Sequence, residues 1–248
     1  MIAPSRQGTA ARSDVEILSL RSGQVISEEN RRHLVEGLAE ALPELRISRL
    51  FELRPDILTG PDYLLITFDR TTGRAVGLLT ARSFTLSDGS HCLQAMVQFV
   101  GGAHRRGTVL RENWLRLLRT CVADRGFPDV IALKTYNPVA YCAMRALGRT
   151  GDIYPALTGP QDPRMTAWAD EVAEGAAPSC PFEPEVGVVR GSGVPVDLYR
   201  SRPTSEDPAV NAYFAAHTDP GDRVLCLVRV DSAETGERIL AGLGAERV

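Results

Sequence analysis

The sequence predicts an α/β fold: a mixed, mostly antiparallel, twisted sheet flanked by helices, with an enlarged C-terminal part. Three observations carry this. Residues 63–68, 74–85 and 91–100 read as strands joined by the short turns Asp69–Gly73 and Ser87–Ser90, the signature of an antiparallel meander. A long amphipathic helix follows, with Leu110, Trp114, Leu117, Leu118, Cys121 and Val122 at helical spacing and Gly126 at the C-terminal cap. A fully apolar strand at 130–135 and a second helix come next, so strand, helix, strand and helix succeed the meander and mix the sheet.

The remaining elements follow in order. Residues 1–13 read as a disordered lead, and 14–248 as a single domain. Residues 15–20 form a first strand. Ser27, followed by Glu28, Glu29 and Asn30, opens a helix whose face is Leu34, Leu38 and Leu42 and which Pro43 ends. Residues 45–57 are ambiguous, with a second helix as one reading. Asn137 and Pro138 open the helix after the 130–135 strand. Asp162-Pro163 caps a helix carrying Met165, Trp168, Ala169 and Val172. Residues 186–190 and 194–200 read as a hairpin over Gly191-Ser192-Gly193. Asp207-Pro208 starts a short helix with Val210, Tyr213 and Phe214. A strand at 224–230 and a helix at 232–243 close the chain.

Bulk properties exclude several classes. With 248 residues and 44% hydrophobic side chains, the chain is long enough to bury a sizeable core. A net charge of −3 disfavours a nucleic-acid surface. No run of 18 apolar residues spans a membrane, and the first residues lack the apolar core of a signal peptide. The scattered Cys92, Cys121, Cys142, Cys180 and Cys226 read as thiols of a cytoplasmic protein. His33, His91, His104 and His217 share no ligand spacing with cysteines or acids, so no metal is expected. Lys134 is the only lysine among 28 basic residues, against 27 arginines. It is either a chance survivor of that bias or a lysine that arginine cannot replace.

The stretch from Val97 through Gly126 organises the chain. A buried strand feeds Gly101-Gly102-Ala103-His104-Arg105-Arg106-Gly107-Thr108, and this turn opens the long helix. Backbone N–H groups and the helix dipole converge there, which suits an anion. Gly102 and Gly107 have P-loop spacing, but Thr108 and Val109 replace the Lys-Ser/Thr that a P-loop requires, and no G-x-G-x-x-G is present. The turn resembles the acyl-CoA loop of the GCN5-related N-acetyltransferases, Arg/Gln-x-x-Gly-x-Gly/Ala between strand and helix. His104 stands in the Arg/Gln place, Gly107 is the central glycine, and Val109 takes the second Gly/Ala place. The family's second motif, Asn-x-x-Ala-x-x-x-Tyr-x-x-x-Gly-Phe, finds Asn137, Ala140, Met144, Gly148 and Arg149, with three of five matching.

The resemblance implies an acyltransferase that moves an acetyl or other acyl group from acetyl-CoA or another acyl-CoA to an amine of a small-molecule acceptor. It implies that the backbone of Phe99 and Val100 pairs with the pantetheine arm, that Arg105, Arg106, Gly107, Thr108 and Val109 hold the pyrophosphate, and that Asn137 helps fix the donor. His104 reads equally as an anion contact or a solvent-exposed residue. Three departures bear on catalysis. Met144 replaces the family's acid tyrosine, leaving Tyr141 as candidate acid or as packing. The 91–100 strand carries Gln94 and Gln98 but no carboxylate. Val109 adds bulk near the phosphates. Lys134 is expected where the fourth and fifth strands part, with a role in the chemistry. Residues 151–222 exceed the family's usual length; an acceptor pocket, a cover for the sheet and a homodimer contact all remain open for them. The rival readings are a catalytically degenerate binding module and an enzyme with a carrier-protein or aminoacyl-tRNA donor.

Overall fold

The computed structural model describes residues 14–24, 26–105, 108–148 and 153–244. The lead at 1–13, Arg106, Gly107 and Arg149 lie outside the described residues.

Alternating apolar side chains and short turns lay down the meander. β1 (Val15–Arg21) is followed by α1 (Glu28–Ala41), α2 (Ile47–Leu53), β2 (Tyr63–Asp69), β3 (Ala75–Thr85) and β4 (His91–Val100). The Ser27 hydroxyl caps α1 by accepting from Asn30 N, and α1 buries Leu34 and Leu38 as its spacing requires. The ambiguous stretch resolves into α2 and a short 3-10 turn, Pro55–Ile57. α3 (Val109–Arg125) ends at Gly126, whose φ of 81° is the left-handed conformation open to glycine. β5 (Val130–Thr135) and α4 (Pro138–Gly148) follow. Then come β6 (Ile153–Tyr154), α5 (Pro163–Ala176), β7 (Phe182–Glu183), β8 (Val188–Val189), α6 (Pro208–His217), β9 (Arg223–Arg229) and α7 (Ala233–Gly244).

The strands form one sheet in the order β1-β2-β3-β4-β5-β9-β8-β7, with β6 also on β9. Every pairing is antiparallel except β4 with β5. This is the mixed, mostly antiparallel sheet expected, and the parallel pair with α3 as its crossover is the arrangement the acetyltransferase resemblance implies. Helices cover both faces. Leu117, Leu118, Tyr141, Met144, Phe214 and Ile239, from α3, α4, α6 and α7, pack on Leu65, Leu79, Leu93 and Ile131. On the other face α1 and α2 bury Leu38, Leu50 and Phe51 against Leu64 and Leu78. There α5 sets Trp168 and Val172 on Ala132 and Leu227. Each such fully buried leucine contributes about 1.5–3 kcal/mol of transfer free energy. Among the described residues, no helix is long and apolar enough to cross a membrane, and no group of three His, Cys, Asp or Glu side chains could hold a metal.

The hairpin expected over 186–200 does not form. Only Val188–Val189 is strand, and it pairs with β7 on one side and β9 on the other. Gly193 N donates to Gly221 O instead of across a turn, and Asp222 accepts from Gly191 N and Arg190 Nη1. These bonds tie the glycine turn to the start of β9. The chain then leaves the sheet: Pro195 has no N–H to give, Arg46 N donates to Leu198 O, and Leu45 bridges Tyr199. The apolar alternation of 194–200 therefore serves a different wall, with Leu198 buried beside α2 while Val196 stays 59% exposed.

Candidate active site

β4 and β5 pair only from Cys92↔Val130 to Ala95↔Leu133. On its other side, β4 shifts register against β3 between Thr80↔Val97 and Ala81↔Ala95, so Met96 is an extra residue. Such a bulge bends its strand, and here β4 parts from β5. The edges of Val97–Phe99 and Lys134–Thr135 are left facing a gap.

Two cavities meet at this gap and share Gln98, Phe99, Asn137, Ala140 and Tyr199 in their linings. The smaller, of about 130 Å3, lies toward α2, between Arg54, Ile57, Lys134, Tyr136 and Arg223. The larger, of about 390 Å3, runs past Val100, Arg105, Leu110 and Ala143 toward the starts of α3 and α4. A third cavity, between α3, α4 and α7, is lined mainly by apolar side chains and lies outside the gap.

Fixed partners hold these walls. Trp114 Nε1 donates to Gln98 Oε1 at 2.9 Å, and the buried Thr67 hydroxyl donates to Asn113 Oδ1 at 2.9 Å, pinning α3 to β2 and β4. Asn137 Oδ1 accepts from Val139 N at 3.0 Å and so caps α4, while Asn137 N donates to Thr135 Oγ1. The cap aims the positive end of α4 at the gap.

The expected residues divide as follows. Phe99, Val100, Arg105, Lys134 and Asn137 line the cleft. Arg105 turns away from α3: it pairs with Glu44 and donates to Val100 O. His104 faces Asp69, with Nε2 3.7 Å from Oδ2, and lines neither cavity of the cleft. Thr108 is the N-cap residue of α3, its hydroxyl bonded to Glu112. Val109 is buried against Val15, Val76 and Val100, so its side chain points into the core and not over the start of the helix. The Val109 side chain therefore adds no bulk at the start of α3.

Tyr141 requires a correction. It is fully buried, and its hydroxyl donates to Pro155 O at 2.8 Å. Burial raises its pKa far above that of an ordinary tyrosine. With its proton committed inside the core, it packs against Phe214 and does not face the cleft.

Lys134 lies in the gap as expected. Strand alternation puts it on the face of Val130 and Ala132, beyond the last rung of the β4–β5 ladder. Burial, then the Arg54 and Arg223 guanidinium groups, lower its pKa to about 8. Arg54 is paired with Asp56 at 2.7 Å. Sequence reasoning missed Arg223, Arg202, Tyr136 and Tyr199. The Tyr136 ring has the Arg202 and Arg223 guanidinium carbons 5.5 and 5.6 Å from its centre, and Tyr199 at 5.5 Å. Nothing in the chain singles out two arginines among 27. The one local signal is Gly193: a β-carbon there would lie 2.2 Å from Arg223 Cζ, so the guanidinium occupies the space of the missing side chain.

Three solved structures similar to this chain are acetyltransferases. An aminoglycoside acetyltransferase from an uncultured soil metagenomic sample is 18% identical over 46% of this chain and 76% of that one, with a TM-score of 0.34. A Trypanosoma brucei acetyltransferase is 16% identical over 54% of this chain and 92% of that one, at 0.38. The catalytic domain of the Tetrahymena GCN5 histone acetyltransferase, in complex with coenzyme A, is 9% identical over 54% of this chain and 75% of that one, at 0.36. No protein-family model matches the chain, and no curated protein does.

Proposed function

We propose that the chain is an acyl-CoA-dependent N-acyltransferase acting on an amine of a small-molecule acceptor. The observation that carries this is the parting of β4 from β5 after Ala95 and Leu133, with two cavities meeting at the exposed edge of β4. In this reading the acyl-CoA, acetyl-CoA or another, occupies the larger cavity. Its arm lies along Phe99 and Val100, and its phosphates lie toward the turn of Arg105, Thr108 and Val109. The acceptor enters the smaller cavity past Lys134. The neutral amine attacks the thioester carbonyl, a C–N bond forms and the C–S bond breaks; the amine loses a proton and the thiolate gains one. No carboxylate lines the smaller cavity among the described residues, so water carries the amine's proton away. Positioning supplies most of the rate, and the Lys134 ammonium stabilises negative charge developing at the carbonyl oxygen.

Calorimetry with CoA and acetyl-CoA tests the reading. Both should bind, and Ala140→Trp, which fills a position shared by both cavities, should weaken binding at least ~10-fold with the circular dichroism unchanged. Absence of binding to the wild-type protein at millimolar ligand would sink it. A second reading, binding without transfer, draws on the carboxylate-free lining and the burial of Tyr141. It is the outcome if CoA binds while no amine in a broad panel releases free thiol from acetyl-CoA.

A further inference from the structure

The smaller cavity is cationic beyond what an uncharged acceptor needs. Arg54, Lys134 and Arg223 line it. Arg54 has its own carboxylate, Asp56. Arg223 is only 7% exposed, and the bonds its Nη1 makes go to the carbonyl oxygens of Pro220 and Asp222. Among the described residues no carboxylate is bonded to the side chain of Arg223 or Lys134, and only Asp222 acts on Arg223 from a distance. The Asp222 carboxylate is taken by Arg190 and by Gly191 N. Just outside the pocket, Arg202 shares the Tyr136 ring with Arg223, and its donors go to Phe214 O and to the carbonyl and hydroxyl of Thr218. A guanidinium buried without a counter-ion is costly, and the cost is removed when an anion pairs with it. Gly193 keeps this guanidinium in place by leaving its own side-chain volume free.

We infer that the smaller cavity is a receptor for a carboxylate, held by Arg223 with Lys134 as the second charge. The planar fork of Arg223 suits a carboxylate's two oxygens. Two sources share this chemistry: a carboxylate on the amine acceptor, as in an amino acid, or one at the far end of a dicarboxylic acyl chain on the donor. The assignment to a substrate rests on the acyl-transfer reading; the anion site itself does not.

Succinate and its neutral isostere succinamide, titrated into the full chain without CoA, test the site alone. Succinate should bind at least ~10-fold more tightly, and Arg223→Gln should abolish the difference. If Arg223→Gln does not fold, Lys134→Gln, at the half-buried residue, carries the same test and should reduce the difference. Equal binding of succinate and succinamide by the wild type overturns the inference, as does a folded Arg223→Gln, or failing that a folded Lys134→Gln, that discriminates as before. The acyl-transfer reading fails separately, if succinate is discriminated but CoA never binds. The sources part in two further titrations. Succinyl-CoA preferred over acetyl-CoA marks the acyl chain, and L-alanine preferred over L-alaninamide in the presence of CoA marks the acceptor. If neither preference is seen, the carboxylate belongs to no substrate and that half of the inference falls.

Discussion

Of the two side chains expected to take part in the chemistry, one lies in the core and the other in the cleft. Tyr141 is a core residue, so Tyr141→Phe should lose only the bond to Pro155 O: about 1 kcal/mol of stability by denaturant titration, with any acyl-transfer rate unchanged. A ~10²-fold fall in turnover would return it to the chemistry. Lys134 is the group that feels the cleft. Its pKa of about 8 lies below its unfolded value near 10.4, so between the two the unfolded chain holds more protons and stability rises with pH. Below about pH 8 the cost of the confined ammonium is felt in full. Lys134→Met should therefore raise Tm at pH 7, with a gain that shrinks toward pH 10; an equal gain at both would clear the charge of responsibility. Lys134 was legible because one lysine stands out against 27 arginines. Arg223 was not, because what distinguishes it is the absence of a counter-ion, and only the folded chain shows that.

At the scale of elements, the site depends on where α3 sits against the meander. The Thr67–Asn113 bond, between residues 0% and 1% exposed, fixes that position. Asn113→Ala should cost about 2–4 kcal/mol, the sum of an orphaned hydroxyl and a cavity. The pair Thr67→Val with Asn113→Leu should recover part of this, since neither partner then needs the other; purely additive losses in a double-mutant cycle would show that the bond does not couple them. The long elements were legible because period and caps agree over ten or more residues, as in α3 with Gly126. β6, β7 and β8 hold two residues each, too few to show any period. The 186–200 hairpin was misread because the glycine turn answers to Asp222 and Gly221, some 30 residues away.

Seen whole, the molecule carries a net charge of −3 yet concentrates uncompensated cations in one cleft. Residues 192–204, within the stretch that exceeds the usual family length, supply a wall of both cavities. Of the roles left open for it, α5 on the sheet meets the covering one. Sequence could size this insertion but not place it, because its contacts are long-range. Charged substrates should sense the asymmetry. Raising ionic strength from ~0.01 to ~0.1 M, which shortens the screening length from about 30 to 10 Å, should lower kcat/KM for a carboxylate-bearing substrate and leave its neutral amide unaffected. Parallel salt curves for the two would mean that the cleft's charge is not read by the substrate.

Apart from its terminus, the 248-residue sequence offers an acylating or alkylating reagent one amine, and the fold puts that amine on a sheet strand between β4 and β9. A protease that cuts after lysine has a single address here, and cleavage there divides the chain into 1–134 and 135–248. Backbone held against β9 inside a packed sheet does not fit a protease's active site, so the cut waits for this strand to open. The appearance of those two fragments, timed at low denaturant, becomes a clock for the opening of the central sheet. A ligand seated in the cleft should slow it.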